Sequence, residues 1–278
     1  MRNHIHAITF PRGKRDNGIV FSFFAAVSIA MALTFTPKAH AGSGPDTGWQ
    51  GLYGGFTVGG VYGASRPDSE AELSPYFNSQ FDLDDLRPSL QSAIDRTSFS
   101  GSGLFGYDFQ DGALVYGIEA DATVMNYSET SNASGSFVAA AVPVRFAIRT
   151  TIENNYSFSI RPKIGYVIGN WMVHAAAGPS VGHFKYDFSY DDDNSGGGPS
   201  DFTDSTIAFG VSSNLGVSYN LDNGWILRGD YVSSYYPEII NERQSFARSV
   251  GGTVFGASIK HEAAFDSHNL RIGLIKRF

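Results

Sequence analysis

Residues 49–63 read WQGLYGGFTVGGVYG. The even positions are Leu52, Gly54, Phe56, Val58, Gly60 and Tyr62; the odd ones are Tyr53, Gly55, Thr57, Gly59 and Val61. Side chains of a β-strand alternate between faces, so this stretch has one aromatic and apolar face and one small, mostly polar face. A strand with lipid on one side and a crowded lumen on the other has this composition. The repeated glycines relieve crowding and permit curvature in a small barrel.

The same period of two returns seven times. Strand two runs from about Thr97 to Phe109, with Phe99, Phe105, Tyr107 and Phe109 on one face and Ser98, Ser100, Ser102 and Asp108 on the other. After the Gln110-Asp111-Gly112 turn, strand three turns Leu114, Tyr116, Ile118, Ala120, Ala122 and Val124 outward and Val115, Gly117, Glu119, Asp121 and Thr123 inward. Strand four places Phe158, Ile160, Pro162, Ile164, Tyr166 and Ile168 outside and Ser159, Arg161, Lys163, Gly165 and Val167 inside. Its even-numbered apolar pattern reaches back to Val144, which predicts a strand standing well above the membrane. Pro162 lacks a ladder donor and predicts a local bulge or break. Strand five follows Gly169-Asn170, with Trp171, Val173, Ala175, Ala177 and Val181 outside and Met172, His174, Ala176, Gly178 and Ser180 inside. Strand six carries Ile207, Phe209, Val211, Leu215, Val217 and Tyr219 outside and Thr206, Gly210, Ser212, Asn214 and Ser218 inside. Past the Asp222-Asn223-Gly224 turn, strand seven shows Trp225, Leu227 and Tyr231 outside, with Arg228 and Asp230 inside. The last strand has Leu270, Ile272, Leu274 and Phe278 on one face and Asn269, Arg271, Gly273 and Arg277 on the other.

Three short turns alternate with four long segments: 63–96, 128–143, 185–205 and 234–262. Within the first, Leu86, Leu90 and Ile94 at spacing four predict a helical turn. This asymmetry is that of an all-β, eight-stranded, antiparallel up-and-down transmembrane β-barrel with short periplasmic turns and long extracellular loops. A ten-stranded barrel with an extra hairpin between Phe137 and Ile152 is the topological alternative. A soluble sandwich would hide its aromatic face and need no such alternation of loop length.

Composition agrees. Among 278 residues there are 32 Gly, 22 Phe and 14 Tyr, only 17% are charged, and Cys is absent. Disulfides and thiolate chemistry are thereby excluded. At the start, Arg2, Arg12, Lys14 and Arg15 precede an apolar run from Ile19 to Phe35 and the small-x-small sequence Ala39-His40-Ala41. That order predicts a secretory signal over residues 1–41, cut before Gly42, and a barrel domain over 42–278. Five basic residues and Asp16 precede Gly42, so cleavage takes the formal charge from −7 to −11. An acidic protein is not expected to bind nucleic acid.

Three segments carry a family resemblance. WQGLYGGFTVGG from Trp49, YGIEAD from Tyr116 and SIRPKIGY from Ser159 resemble the first, third and fourth strands of the small OmpA- and OmpX-like outer-membrane barrels. They are most similar to the surface-antigen barrels of rhizobia-like Gram-negative bacteria. RIGLIKRF, ending at Phe278, resembles the C-terminal signal read by the outer-membrane assembly machinery, carried here by Arg271, Gly273, Leu274 and Phe278. Lys276 stands where that signal is usually apolar. The resemblance implies surface exposure and a role in the envelope, with outer-membrane lipid, lipopolysaccharide and the assembly machinery as partners. Some members are described as porin-like or haem-binding. Unlike full-length OmpA, no periplasmic peptidoglycan-binding domain is expected after the barrel.

The expected site is the lumen. Glu119, Asp121, Arg161, Lys163, Arg228, Asp230 and Arg271 all have inward parity and predict a network of opposed charges. Counting residues up from Gly112 and Gly169 sets Glu119 level with Lys163 and Asp121 level with Arg161. No cofactor, metal or catalytic residue is expected. His174 is expected simply to pack in the lumen, and no zinc-type spacing links it to His183, His261 or His268. Asp191–Asp193 is expected to be a solvated acidic loop. Ser233 neighbours His268 across strands, but no third, orienting carboxylate is evident. The expected function is a non-enzymatic, structural and surface-interaction barrel with a largely filled lumen and an unspecified extracellular partner. The alternatives are a narrow porin, loop capture of a ligand such as haem, and lipid A modification.

Overall fold

Alternation along the chain becomes a closed ring. The computed structural model describes residues 48–139, 142–194 and 198–278. The expected cleavage site, Ala39, Ala41 and Gly42, lies outside the described residues. Eight long strands form the wall: β1 (Gly51–Pro67), β3 (Ile94–Asp111), β4 (Leu114–Ala139), β5 (Val142–Ile168), β6 (Trp171–Asp192), β7 (Ser200–Asn220), β8 (Trp225–Val250) and β9 (Thr253–Arg277). A two-residue strand, β2 (Glu70–Ala71), and helix α1 (Gln80–Leu90) lie between β1 and β3. Each wall strand pairs antiparallel with the next, and β1 pairs with β9, which closes the barrel.

The lower part of the wall is a membrane barrel. Phe56, Phe99, Phe105, Ile118, Tyr166, Trp171, Phe209, Leu215, Leu227, Leu270 and Ile272 are exposed on its outside, with Phe56 at 77% and Phe99 at 86%. In lipid these faces are at home, and the ladder satisfies the backbone. Close approach at the closing seam requires glycine at position 59: a Cβ there would lie 2.1 Å from the Leu270 carbonyl oxygen. At the periplasmic end Gly112 and Gly169 take positive φ in their short turns. At Pro162 the β5–β6 ladder skips residues 160–162 without changing register, so the proline breaks pairing and makes no bulge.

Above the membrane the expected loops are largely strand. β4 and β5 stay paired from Ser128↔Glu153 to Ala139↔Val142, across the site of the alternative extra hairpin. Residues 185–192 and 200–205 become the ends of β6 and β7, and 234–262 becomes the upper β8–β9 hairpin around Gly251-Gly252. The reason is the inward face of these extensions. Phe184, Tyr186, Phe188 and Tyr190 of β6 are buried, as are Ile239, Ile240 and Ile259 opposite them in the core cluster. Water surrounds this part, so apolar side chains turn inward rather than outward.

β5 makes the inversion visible. Val144, Phe146, Ile148 and Ile152 are buried, whereas Tyr156, Phe158 and Ile160 are exposed to lipid. The single even-numbered face read from sequence is thus two faces. Register shifts between Val124 and Tyr127 on β4 and between Asn154 and Tyr156 on β5 accomplish the switch, since one extra residue flips every later side chain.

Residues 68–93 fold over the mouth. Asp68, Glu72 and Tyr76 donate backbone hydrogen bonds to Glu262, Ser258 and Gly256 of β9. Ser79 caps α1 reciprocally with Asp82, their bonds 3.2 and 3.3 Å long. Leu86 and Leu90 are buried, as their spacing implies; Ile94 opens β3 rather than extending the helix. Phe77 is fully buried among Tyr76, Phe137, Tyr190 and Phe246, with ring centroids 5.2–6.5 Å apart and edge-on. Burying such a ring contributes about 1.5–3 kcal/mol.

Candidate functional site

The lumen is filled in three tiers. At the periplasmic end Trp49, Tyr53, Leu104, Val115, Val167, Met172, Ile226 and Ile275 form an apolar stopper. Arg277 stacks over Trp49 at 5.4 Å.

The middle tier is the charge network. Glu119 is fully buried and is its hub. Arg228 grips it with two bonds, Nη1 to Oε2 at 2.5 Å and Nη2 to Oε1 at 3.0 Å. Arg161 Nη2 donates to Glu119 Oε1 at 3.1 Å and the Tyr53 hydroxyl donates to Oε2 at 2.9 Å. Arg228 Nε also reaches Asp230 at 2.7 Å. Arg271 Nη1 binds Asp121 at 3.0 Å and Ser102 at 2.5 Å, and Arg161 lies 3.5 Å from Asp121. Forked guanidinium–carboxylate contacts such as these fix orientation as well as supply energy.

All seven expected lumen charges face inward, and six of them meet directly; Lys163 does not, and both expected level pairings are displaced in the ladder. The register sets Glu119 opposite Arg161, Gly117 opposite Lys163 and Asp121 opposite Ser159. Lys163 instead lies 2.8 Å from Asp108 and donates to the Tyr53 hydroxyl at 2.8 Å, stacked over that ring at 4.2 Å. Tilted strands in a closed barrel are staggered by shear, so equal counts from two turns do not mean equal height. Three members were missed: Asp108, Arg277 and Tyr53, all on inward parity. His174 does more than pack, since its Nε2 is 3.1 Å from Asp230. At Gly216 a Cβ would fall 2.2 Å from Asp230 Oδ1, so only glycine leaves room for that contact.

Between this network and the extracellular core lies a cavity of about 10 Å³, lined by Ser159, Ser180, Ser212, Ser234, Asn269 and Arg271 among others. It has room for about one water molecule. Above it the aromatic core and the 68–93 strap close the mouth.

Outside the lumen the remaining candidates resolve differently. Asp192 is buried against Arg248, whose Nη2 and Nε donate to it at 2.7 and 3.1 Å, so the Asp191–Asp193 run is not simply solvated. The carboxylate beside it raises the Arg248 guanidinium above its ordinary range, although burial opposes this. Among the described residues no cluster of His, Cys, Asp or Glu is arranged to hold a metal. His261 is buried between Tyr186 Oη (3.3 Å) and Gln244 Oε1 (3.2 Å), with Phe202 stacked at 5.0 Å. Burial alone lowers its pKa to about 4. Ser233 and His268 are Cα partners, as expected. A carboxylate that the sequence did not reveal, Asp266, lies 3.6 Å from His268 Nε2, and the Tyr231 hydroxyl occupies Nδ1 at 2.7 Å.

A membrane belt, a closed antiparallel ring and extended extracellular strands now stand together, and the family described as outer membrane protein beta-barrel domain matches residues 22–262. The chain belongs to this family. Its place is the bacterial outer membrane. A 22 kDa outer membrane protein of Rhizobium leguminosarum bv. viciae is 27% identical over 140 residues, 50% of this chain and 53% of that protein. The match therefore spans about half the length of the curated relative. Among solved structures, the outer membrane protease OmpT of Escherichia coli is 9% identical, with TM-score 0.45, covering 83% of this chain and 98% of that one. Neisserial surface protein A is 16% identical, with TM-score 0.33, covering 80% and 97%. As members of the family are expected to, the barrel presents its lipid face through Phe, Tyr, Trp and aliphatic side chains and carries its polar groups within.

Proposed function

We propose that this barrel is a closed, non-enzymatic envelope protein whose working part is its extracellular surface. The observation that carries the reading is the sealed lumen. Glu119, Asp121, Arg161, Arg228 and Arg271 span it with direct bonds, apolar side chains stop it below, and a strap crosses it above. An eight-stranded barrel is just wide enough for side chains to fill it. Among the described residues no hydrogen bond joins Ser233 to His268, whose ring nitrogens face Tyr231 and Asp266; this supports the non-enzymatic reading. The outer belt would contact lipid and lipopolysaccharide, and the strand ending at Phe278 would be read by the assembly machinery. Planar-bilayer recording on the refolded protein tests the proposal. The expected trace has no unitary current; steady single-channel steps would replace this reading with a narrow porin.

A further inference from the structure

The wall forks above the membrane. β7 and β8 pair from Asn220↔Ile226 only as far as Val211↔Tyr235. Beyond that point β7 continues to Ser200 in ladder with β6 alone, and β8 continues to Val250 in ladder with β9 alone. The sequence explains the divergence. Pro237, Glu238 and Ile239 of β8 stand opposite the single residue Ala264, where the register shifts between Tyr236 and Ile240. This bulge bends β8 away from β7, and Pro237 brings no donor to a ladder. At the fork Gly210 admits the close approach, since a Cβ would lie 2.2 Å from the Tyr235 carbonyl oxygen.

The slit so formed has a top and a floor. Gln244 Nε2 reaches the Asp201 carbonyl at 3.3 Å and Arg248 Nη1 reaches the Gly198 carbonyl at 2.5 Å, which ties the upper ends together. Ala208, Tyr236, Ile239 and Ile240 are buried beneath the lips, so the slit is no pore. Among the described residues no ladder pair joins Phe202–Gly210 to Tyr236–Arg243. The β8 lip is guarded by its bulge and proline, devices that blunt exposed edges. The β7 lip has neither, and its pairing to β6 is unbroken in register from Ser200 to Tyr219.

Charge selects the occupant. Above the membrane, residues 63–98, 126–155, 184–206 and 236–267 hold nineteen Asp and Glu against nine Lys and Arg. Around the slit stand Asp201, Asp204, Glu238 and Glu242. The nearby Arg243 is drawn to Glu72 at 2.7 Å, and Arg248 to Asp192. An extended chain bearing basic side chains would find both an unladdered edge and opposite charge there.

We propose that the slit is a strand-addition site: an extended, lysine- or arginine-bearing segment of an extracellular partner pairs with the edge of β7 between Phe202 and Gly210. This rests on the surface-interaction reading; conductance is tested separately, so each can fail alone. The test uses the full barrel in neutral phosphatidylcholine nanodiscs, titrated with a labelled nine-residue peptide alternating lysine with valine or threonine. Saturable, salt-sensitive binding is expected, with slowed amide exchange confined to residues 202–210. An analogue N-methylated at every second amide should bind at least about tenfold more weakly, as should a glutamate-for-lysine analogue. The triple variant Asp204→Asn, Glu238→Gln, Glu242→Gln, checked for normal heat-modifiable migration, should lose about tenfold and most of the salt dependence. Absence of binding, equal affinity of the N-methylated peptide, or protection elsewhere in the chain would each overturn the proposal.

Discussion

Glu119→Gln removes one negative charge from the point where Arg228, Arg161 and Tyr53 converge within bonding distance. The hub is fully buried, with Arg161 and Arg228 only 1% and 3% exposed, so water cannot replace what is lost. Leaving a buried charge without its partner costs about 3–5 kcal/mol. Gln keeps one acceptor oxygen but turns an amide donor toward a guanidinium, so the loss stays in that range. Arg228→Met should cost about as much, because it strips both Glu119 and Asp230 of a partner. The double variant removes both halves of the forked pair. It should be more stable than the sum of the single losses predicts by about 1.5–3 kcal/mol, since interacting neighbours do not add. Urea unfolding in lipid vesicles, followed by the fluorescence of Trp49, Trp171 and Trp225, measures the cycle. A parallel cycle of Glu119→Gln with Lys163→Met should couple more weakly, because Lys163 bonds to the Tyr53 hydroxyl and Asp108 and meets Glu119 only through that hydroxyl. Additivity of the Glu119 and Arg228 changes within about 0.5 kcal/mol would refute the hub.

Two further outcomes follow from other parts of the barrel. His261 is held neutral by burial, with its folded pKa at about 4 against an ordinary 6.5, and its neighbours Tyr186, Gln244, Phe188 and Phe202 carry no charge. The unfolded chain therefore binds the extra proton first, and stability present above pH 6.5 is lost as pH falls toward 4, by on the order of 3 kcal/mol. Amide exchange of residues 253–262, corrected for intrinsic rates, should lose protection between pH 7 and 4.5; an unchanged pH profile in His261→Phe would show that another group is responsible. Deleting Phe278 truncates the C-terminal strand pattern and should leave protein in the periplasm, and normal heat-modifiable migration with normal surface exposure would contradict this.

Alternation with period two was legible wherever one face of a strand meets lipid, because each residue's neighbours at two positions' distance share its environment. That local rule was enough for the eight strands, the three short turns, the outward belt and the inward parity of Glu119, Asp121, Arg161, Lys163, Arg228, Asp230 and Arg271. Leu86 and Leu90 likewise announced a helical turn by spacing alone. The same rule misled above the membrane, where the solvent changes from lipid to water and the buried face changes with it. Stretches 185–205 and 234–262 read as loops because they are rich in polar residues, yet Tyr186, Phe188, Tyr190, Ile239, Ile240 and Ile259 within them turn inward. The bulge at Asn154–Tyr156, which sends Phe158 to lipid and Ile152 to the core, leaves no mark in composition. Register was equally out of reach. Ring closure staggers the strands, so Glu119 meets Arg161 and Arg228 from distant parts of the chain while Lys163 goes to Asp108. The fork between β7 and β8, and the strap that seats Phe77 in the mouth, arise only when the wall has closed and its inner faces compete for the same space.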